Sequence, residues 1–256
     1  MSYRILTDRN WGFIDCTLQK KIKETTLLLA GCGLGSQISQ LAVRTGFAHF
    51  ILIDNDKVEK SNLNRQAFRQ LQIGENKAIA TANLIREVNP EVEIEVYPYR
   101  LNSEKTLDFI KKADVIVNLV DPDKTMYALN ENAQQNQKPV FFPLNVGFGG
   151  FLMIFTHSSS SLEKILGRKI IGNEFYFQLL ERVFSPPPYL KNFYQEWGQF
   201  LITGTKPLPQ LGIASLLTSS LTITAITLWL KGEKLKEAPE LITIDPIGFV
   251  AQFLKG

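Results

Sequence analysis

Three glycines in a short turn near the start of the chain are the first residues whose spacing could do chemistry. Residues 30–36 read Ala-Gly-Cys-Gly-Leu-Gly-Ser, so Gly31, Gly33 and Gly35 directly follow an apolar run. Such glycines let the backbone approach a phosphate, and the N-terminus of a following helix favours an anion. Because Ser36 replaces the last glycine of a strict dinucleotide motif, the turn indicates either a phosphate site or simply a tight turn.

A carboxylate stands where a nucleotide site of this type would use one. Asp54 ends a second apolar run, about 20 residues after the glycine turn. A carboxylate in that place accepts hydrogen bonds from the hydroxyl groups of a ribose. Both NAD and ATP carry this ribose, so these residues alone leave an oxidoreductase and an ATP-using enzyme as alternatives.

Strands and helices must alternate to place these residues together. The predicted strands are 27–31, 47–54, 92–97, 115–120 and 139–142, and the predicted helices are 37–45, 75–88, 103–112 and 124–137. A strand, a glycine turn, a helix and a second strand form a βαβ unit of the nucleotide-binding type. The sequence therefore predicts an α/β fold with a Rossmann-like, mostly parallel sheet that carries helices on both faces.

The pattern changes in the C-terminal half of the chain. Residues 151–156 predict an antiparallel edge strand and residues 241–245 a last strand, so antiparallel strands continue the sheet. Residues 157–209 contain a Ser-Pro-Pro-Pro run and predict an irregular insertion or lid. We interpret residues 1–256 as one nucleotide-binding domain with this insertion inside it.

Composition and one uncharged stretch indicate the compartment in which the protein works and whether it spans a membrane. The net charge of +3 is too balanced to indicate nucleic-acid or membrane binding by charge, and Cys16 and Cys32 alone favour a reducing compartment. Residues 211–230 carry no charge over the length of a membrane span but include seven Ser or Thr residues, which favours a buried helix over a span. The polar N-terminus does not resemble a signal peptide. We therefore expect a cytoplasmic protein with no membrane partner.

One run of residues decides between the two nucleotide chemistries. Residues 54–66 read Asp-Asn-Asp-Lys-Val-Glu-Lys-Ser-Asn-Leu-Asn-Arg-Gln. This run resembles the hallmark of the E1-like superfamily, which includes ThiF, MoeB, HesA and the activating enzymes of ubiquitin-like proteins, and every hallmark position is matched. The resemblance implies ATP-dependent adenylation of a carboxylate with release of pyrophosphate. It argues against a NAD-dependent oxidoreductase.

The resemblance covers about residues 9–155 and implies a set of site residues. Those implied to bind ATP are Gly31, Gly33, Gly35, Asp54, Asp56, Ser61, Asn62, Arg65 and Lys77. Arg65 and Lys77 would contact the phosphates, and Asp121 would hold Mg²⁺. Arg9 would reach the ATP of the second subunit in a homodimer. Three of these residues also have a plainer interpretation: Lys77 as a solvated charge, Asp56 as a turn residue and Asp121 as a helix cap.

Departures from the family pattern limit what the resemblance implies. The Cys-x-x-Cys pairs of many members are absent, so we expect no zinc, and residues 122–256 contain no cysteine for a thioester step. Ala30, Pro122 and Met126 replace common family residues, which keeps a non-catalytic E1-like scaffold as an alternative. The carboxylate could belong to a peptide or small-protein C-terminus, a small molecule or a tRNA.

Overall fold

A seven-stranded sheet forms the centre of the fold in the computed structural model, which describes residues 3–247. The strands are β1 Thr26–Ala30, β2 His49–Ile53, β3 Glu93–Tyr97, β4 Val115–Asn118, β5 Val140–Val146, β6 Gly149–Phe155 and β7 Ile242–Ile244. Their order is β3-β2-β1-β4-β5-β6-β7, in which the first five strands are parallel and β6 and β7 pair antiparallel. The predicted fold class, including the antiparallel strands of the C-terminal half, is confirmed.

Helices cover both faces of this sheet. They are α1 Tyr3–Thr7, α2 Cys16–Glu24, α3 Gly33–Thr45, α4 Lys77–Val88, α5 Thr106–Lys112, α6 Lys124–Gln135, α7 Leu162–Leu166, α8 Glu174–Val183, α9 Pro188–Ile202 and α10 Gly212–Lys231. The core on one face includes side chains of α5, α6, α7, α8 and α9, and the core on the other face includes side chains of α2, α3, α4 and α10.

Most of the strand sequences are apolar because both faces of the sheet are covered, whereas the edge strand β3 alternates glutamate with apolar residues. In β1, Leu28 and Ala30 belong to one core, and Leu27 and Leu29 belong to the other. Successive side chains of a strand point to opposite faces, so a strand between two helical layers needs apolar residues at every position. This explains why short apolar runs, rather than alternating patterns, mark the strands in the sequence.

Two helices begin at the edge of the sheet where the parallel strands end. Helix α3 starts at Gly33, within the glycine turn and ahead of the predicted start at residue 37. Glycine has low helix propensity, so the sequence pattern predicts a helix only after the glycines. Helix α4 starts at Lys77, where the Asn76 side chain accepts the N–H groups of Ala78 and Ile79 at 2.9 and 3.2 Å. This capping fixes the position of Lys77 relative to the strands.

Two predictions for the C-terminal half are wrong. Residues 157–209, predicted to be irregular, contain α7, α8 and α9. Pro188 is the first residue of α9, a position where proline is compatible with a helix because the missing N–H would be unpaired anyway. The strand predicted at the edge of the sheet, now β6, is covered by β7, so it is not an edge strand.

The uncharged stretch forms α10, as predicted. In length and composition α10 could cross a membrane, and it is the one such helix among residues 3–247. It packs against α3, β5 and β6, and 44% of its most apolar 18-residue stretch is buried inside the protein. Its buried side chains include Ser215, Thr218 and Thr222, and the Ser215 hydroxyl accepts Nδ2 of Asn145 in β5 at 2.9 Å.

Candidate active site

A cavity of about 790 Å³ opens at the carboxyl ends of the parallel strands. Strand order reverses between β1 and β4, and ligands of open α/β sheets bind in the crevice at such a switch point. Several residues predicted from the sequence line this cavity together: Gly31, Gly33, Asp54, Asp56, Arg65, Lys77 and Asp121. The volume lies in the upper part of the range for small-molecule sites.

The glycine turn forms the floor of the cavity because it brings two strand ends close together. Gly31 has φ +110°, and a Cβ on it would lie 2.7 Å from the carbonyl oxygen of Leu119. The N–H of Gly31 donates to the carbonyl of Ile53 at 2.9 Å. A side chain at this position would therefore push the turn away from β4.

Asp54 organises the backbone around the turn. Its Oδ2 accepts the N–H of Cys32 at 2.6 Å, and its Oδ1 accepts the N–H of Asp56 at 2.8 Å. Burial raises the pKa of Asp54, against the opposing effect of these two hydrogen bonds. The predicted ribose ligand thus also holds the glycine turn and the loop after β2 in register.

Lys77 carries its charge into a largely buried position. Its side chain is only 11% exposed, and its Nζ lies 3.0 Å from Oδ2 of Asp56. The N–H of Lys77 donates to the carbonyl of Asp56 at 2.8 Å, so the two residues are joined through both main chain and side chain. A solvated surface lysine would not be held in this way, and the arrangement places a fixed positive charge beside the glycine turn.

Arg65 lines the cavity and is held by several neighbours. Its Nε donates to Oε1 of Gln210 at 2.6 Å, and its NH1 donates to the carbonyl of Ser61 at 2.8 Å. Burial lowers the pKa of Arg65, although arginine stays protonated at physiological pH. The contact with Gln210 links this side chain to the segment just before α10.

Asp121 lies at the cavity with its carboxylate free of protein ligands. It makes no hydrogen bond or ion pair with any residue in the described range 3–247. Burial and, after it, the negative charge of Asp56 raise the pKa of Asp121. The helix cap that Asp121 could have supplied comes instead from Asp123, whose Oδ1 accepts the N–H groups of Thr125 and Met126.

Sequence reasoning missed a cation at this cavity. Arg100 follows β3, and its NH2 lies 3.0 Å from Oδ2 of Asp123 across the cavity mouth. No local motif surrounds Arg100 in the sequence. The two residues lie 23 positions apart in the sequence, and only the folded chain brings them together.

Four predicted site residues do not line the cavity: Gly35, Ser61, Asn62 and Arg9. Asn62 is buried, and its Oδ1 accepts the N–H of Glu59 at 3.1 Å, so it caps a short 3₁₀ helix at Lys60–Asn62. Ser61 donates to Glu59 on the surface. Arg9 is exposed, in a 3₁₀ turn at Asp8–Asn10. In this structure Asn62 and Ser61 shape the loop that carries Arg65.

The far end of the cavity is apolar and was also missed by the sequence. We name this end the apolar chamber and define it by six lining residues: Phe142, Phe151, Tyr176, Leu180, Phe193 and Tyr194. Strands β5 and β6 and helices α8 and α9 supply them. Burial raises the pKa of Tyr194 to about 12, so its hydroxyl stays protonated. The prediction of an irregular segment at 157–209 hid the helices that form this wall.

Two of the departures from the family pattern lie in packed positions. Ala30 is the last residue of β1 and is almost fully buried. Met126 is fully buried in α6, and its carbonyl accepts Nδ2 of Asn118 at 3.0 Å. Ala30 lines the cavity and Met126 does not.

Comparison with known proteins agrees with this geometry. The model of the ThiF family matches residues 7–248 of the chain. The chain belongs to the ThiF family. The E1-like resemblance read from the hallmark run is thereby confirmed.

Relatives of this ThiF-family chain match about half of its length. It is 33% identical over 141 residues to a sulfur carrier protein adenylyltransferase of Thermus thermophilus, across 54% of this chain and 52% of that protein. It is 31% identical over 141 residues to the adenylyltransferase and sulfurtransferase MOCS3 of Mus musculus, across 54% of this chain and 31% of that protein. The matched region thus spans about half or less of these relatives.

Solved structures share the fold over most of this ThiF-family chain. E. coli MccB, solved with AMPCPP and MccA, superposes with a TM-score of 0.67 at 18% identity, covering 89% of this chain and 62% of that one. E. coli TcdA, a tRNA N6-threonylcarbamoyladenosine dehydratase, superposes with a TM-score of 0.65 at 18% identity, covering 90% and 95%. At these identities the likeness establishes the fold.

Proposed function

We propose that this chain is an adenylyltransferase that activates a carboxylate with ATP. One observation carries the proposal: a buried lysine, an arginine and an unpaired aspartate meet the glycine turn in a single cavity, where Lys77, Arg65 and Asp121 lie beside Gly31. Family membership and a relative named as an adenylyltransferase support it.

The reaction needs no nucleophile from the protein. A carboxylate oxygen would attack the α-phosphorus of ATP, the bond from that phosphorus to the oxygen bridging to the β-phosphate would break, and pyrophosphate would leave. Negative charge on the phosphates grows in the transition state. Lys77 and Arg65 are fixed cations at the cavity, so they offset this charge without having to reorganise first.

Asp121 suits a role as the protein ligand of Mg²⁺. Magnesium bound with a nucleotide is commonly held by one or two carboxylates together with phosphate oxygens, and when bound it adds positive charge there. Asp121 offers both carboxylate oxygens, because it has no hydrogen-bond or ion-pair partner within residues 3–247. No group of three or more potential metal-ligating side chains occurs in that range, so phosphates and water would complete the coordination.

The glycine turn and Asp54 would position the nucleotide. A Cβ on Gly33 would lie 3.2 Å from Nε2 of Gln66, so the missing side chain keeps the floor of the cavity open. The backbone N–H groups at the start of α3 favour a phosphate. Asp54 retains lone pairs for the ribose beside its two backbone hydrogen bonds.

We further propose a homodimer in which Arg9 completes the site of the partner subunit, and a cytoplasmic location. Arg9 is exposed and does not line the cavity of its own chain, which suits a residue that acts on a second subunit. Both cysteines are free thiols, as in a reducing compartment. The carboxylate would come from a peptide or small-protein C-terminus, a small molecule or a tRNA, and the names of the similar proteins include a sulfur carrier protein and a tRNA.

Carboxylate-dependent exchange of labelled pyrophosphate into ATP tests the proposed reaction. A panel of acids and peptides is incubated with protein, ATP and Mg²⁺, and label in ATP is counted. We expect exchange with at least one acid, loss of exchange on chelation by EDTA, and no hydride transfer with NAD. Binding of ATP without exchange across the whole panel would instead support a non-catalytic E1-like scaffold.

A further inference from the structure

The cavity has two chemically different ends. Charged residues lie at the glycine turn and around Asp121. In contrast, every described cavity-lining residue between positions 142 and 201 is uncharged, and most are aromatic or aliphatic. Tyr176 lies between the two ends of the cavity. It lines the apolar chamber, and it is close enough to Asp121 that the negative charge of Asp121 contributes to raising the pKa of Tyr176. A carboxylate placed at the charged end would thus extend its body into the chamber.

The apolar chamber is built to stay rigid. Phe142 packs edge-to-face on Phe155 and Phe175, with ring centroids 6.3 and 6.0 Å apart, and Phe193 packs on Tyr194 at 5.5 Å. Edge-to-face pairs of this kind stabilise a fixed arrangement of rings. The far wall is therefore a shaped surface, and its shape comes from packing of α8 and α9 against β5 and β6.

A charged group would find no opposite charge in this chamber, whose six residues offer only the hydroxyls of Tyr176 and Tyr194 as polar side-chain groups. Burying an ionised group without an opposite charge is strongly unfavourable, and a polar group without a hydrogen bond is also penalised. An apolar group, by contrast, gains free energy in proportion to the surface that it removes from water. A substrate ending in glycine would leave the chamber walls without contacts.

We infer that the acid activated at this site carries an aromatic or branched aliphatic group next to its carboxylate, and that the apolar chamber selects it. The inference rests on the proposed adenylation and adds the chemistry of the substrate. The same recognition chemistry fits a free apolar acid and a peptide whose last residue is apolar. The experiment below separates these two sources.

Equilibrium binding measures the chamber without turnover. Dissociation constants are measured by calorimetry or ligand-observed NMR, with Mg²⁺ and an ATP analogue that has a methylene group between the α- and β-phosphorus atoms. The free acids are 3-phenylpropionate, propionate and succinate. The peptides are Ala-Ala-Phe, Ala-Ala-Gly and Ala-Ala-Asp.

The phenyl compounds should bind at least about tenfold more tightly than propionate, succinate and the peptides ending in Gly or Asp, because burial of a phenyl group is worth that factor or more. If only 3-phenylpropionate shows the preference, the source is a free acid. If only Ala-Ala-Phe shows it, the source is a peptide C-terminus. Failure of both phenyl compounds to bind better than their matched controls overturns the inference.

Two variants locate the preference. Phe193→Ala and Phe177→Ala each remove a ring from the cavity lining, and both side chains are partly exposed, so folding should tolerate the changes. Each should weaken binding of the phenyl compounds by about fivefold or more and leave propionate unchanged. The matched control is Phe200→Ala, in the same helix as Phe193 but outside the cavity lining. Equal losses in the control and the two lining variants contradict the inference.

Pyrophosphate exchange with the same six compounds separates this inference from the proposed function. If a phenyl compound binds tightly but supports no pyrophosphate exchange, the apolar chamber still selects an apolar group, and the proposed adenylation is wrong. Exchange that runs best with succinate, or with the peptides ending in Gly or Asp, keeps adenylation and overturns the assignment of the chamber.

Discussion

At the level of single residues, Lys77 gives the sharpest test of the phosphate site. Lys77→Met keeps the length of the side chain and removes the charge beside the glycine turn. We expect pyrophosphate exchange to fall by about 10²–10³-fold, as it does when a preorganised stabiliser of the transition state is lost. The matched control is Lys57→Met, at an exposed lysine outside the cavity lining, which should stay within about twofold. Similar losses in both variants would argue against a phosphate role.

Asp54 should matter for stability as well as for the nucleotide. Asp54→Ala leaves the N–H groups of Cys32 and Asp56 without their acceptor, and Cys32 is fully buried. A buried unsatisfied donor costs about 1–3 kcal/mol, so we expect a loss of about 2 kcal/mol in the free energy of unfolding measured with urea. Asn55→Ala, in the same loop but exposed, should change it by less than about 0.5 kcal/mol. A neutral Asp54→Ala would show that other groups hold the turn.

The titration of Asp54 should appear in the pH dependence of stability. Burial raises its pKa in the folded chain above the ordinary value of 3.8, so the folded state binds the proton more tightly than the unfolded state. Protonation therefore stabilises the fold as the pH falls through the raised pKa. The Asp54→Asn variant cannot titrate there. We expect the unfolding free energy of the wild type, relative to this variant, to rise from neutral pH to about pH 4, and a constant difference would contradict it.

The family resemblance identified several charged residues of the site but not all of their positions. Arg65 of the hallmark run, and Lys77 and Asp121 beyond that run, meet in the cavity. Asn62 lies in the same run, yet it is buried as a cap, because a short loop must also satisfy its own backbone. Arg100 depends on contact between segments distant in sequence, and no local pattern encodes that contact.

At the level of elements, the turn between β5 and β6 should control how α9 packs. Gly147 has φ +58°, and a Cβ on it would lie 2.6 Å from Oη of Tyr189 and 2.8 Å from Cδ2 of Leu190. Gly147→Ala therefore combines backbone strain with overpacking, and we expect a loss of about 2–4 kcal/mol in the free energy of unfolding.

Gly204→Ala is the matched control for this turn. Gly204 also has a positive φ, +71°, but nothing lies within 4 Å of a Cβ placed on it. Strain alone should cost about 1 kcal/mol. Urea unfolding of both variants separates the two effects. If they lose the same stability, contact with α9 contributes nothing.

Helices α8 and α9 show why part of the fold escaped sequence reasoning. A serine run before α7 and the Ser-Pro-Pro-Pro run at the start of α9 predict a loop. Phe175, Leu179 and Leu180 nevertheless form one buried face of α8. The proline run ends where α9 begins, so it marks a helix start and not its absence.

At the level of the whole molecule, mixed dimers test whether Arg9 acts on a partner subunit. Arg9→Ala and Asp121→Ala proteins should each be inactive alone. After subunits exchange at equal amounts, half of the dimers are mixed, and each holds one complete site if Arg9 acts across the interface. We expect about a quarter of wild-type pyrophosphate exchange to return. If no activity returns after exchange and Arg9→Ala alone is fully active, Arg9 does not act across the interface. If light scattering shows a monomer, the proposed dimer is wrong.

The sheet was the most predictable part of the whole molecule. Four of the five parallel strands, β1, β2, β4 and β5, are largely apolar runs with buried residues, so their location follows from composition, whereas β3 at the edge alternates glutamate with apolar residues. The mostly parallel pairing of the strands followed from the alternation of strands and helices, but their order came only from the structure. The covering of β6 by β7 was not predictable, since the three residues of β7 lie far along the chain and only the folded core brings them to β6.

The division of the cavity between two stretches of chain has a consequence for how such proteins can diversify. Residues 31–123 supply the charged end, and residues 142–211 supply the apolar chamber and the segment before α10. Recombination at the β5 strand could therefore exchange one acid preference for another and leave nucleotide handling intact. A graft of residues 140–201 between two family members, which leaves Gln210 in place against Arg65, would be a practical route to enzymes that activate chosen acids.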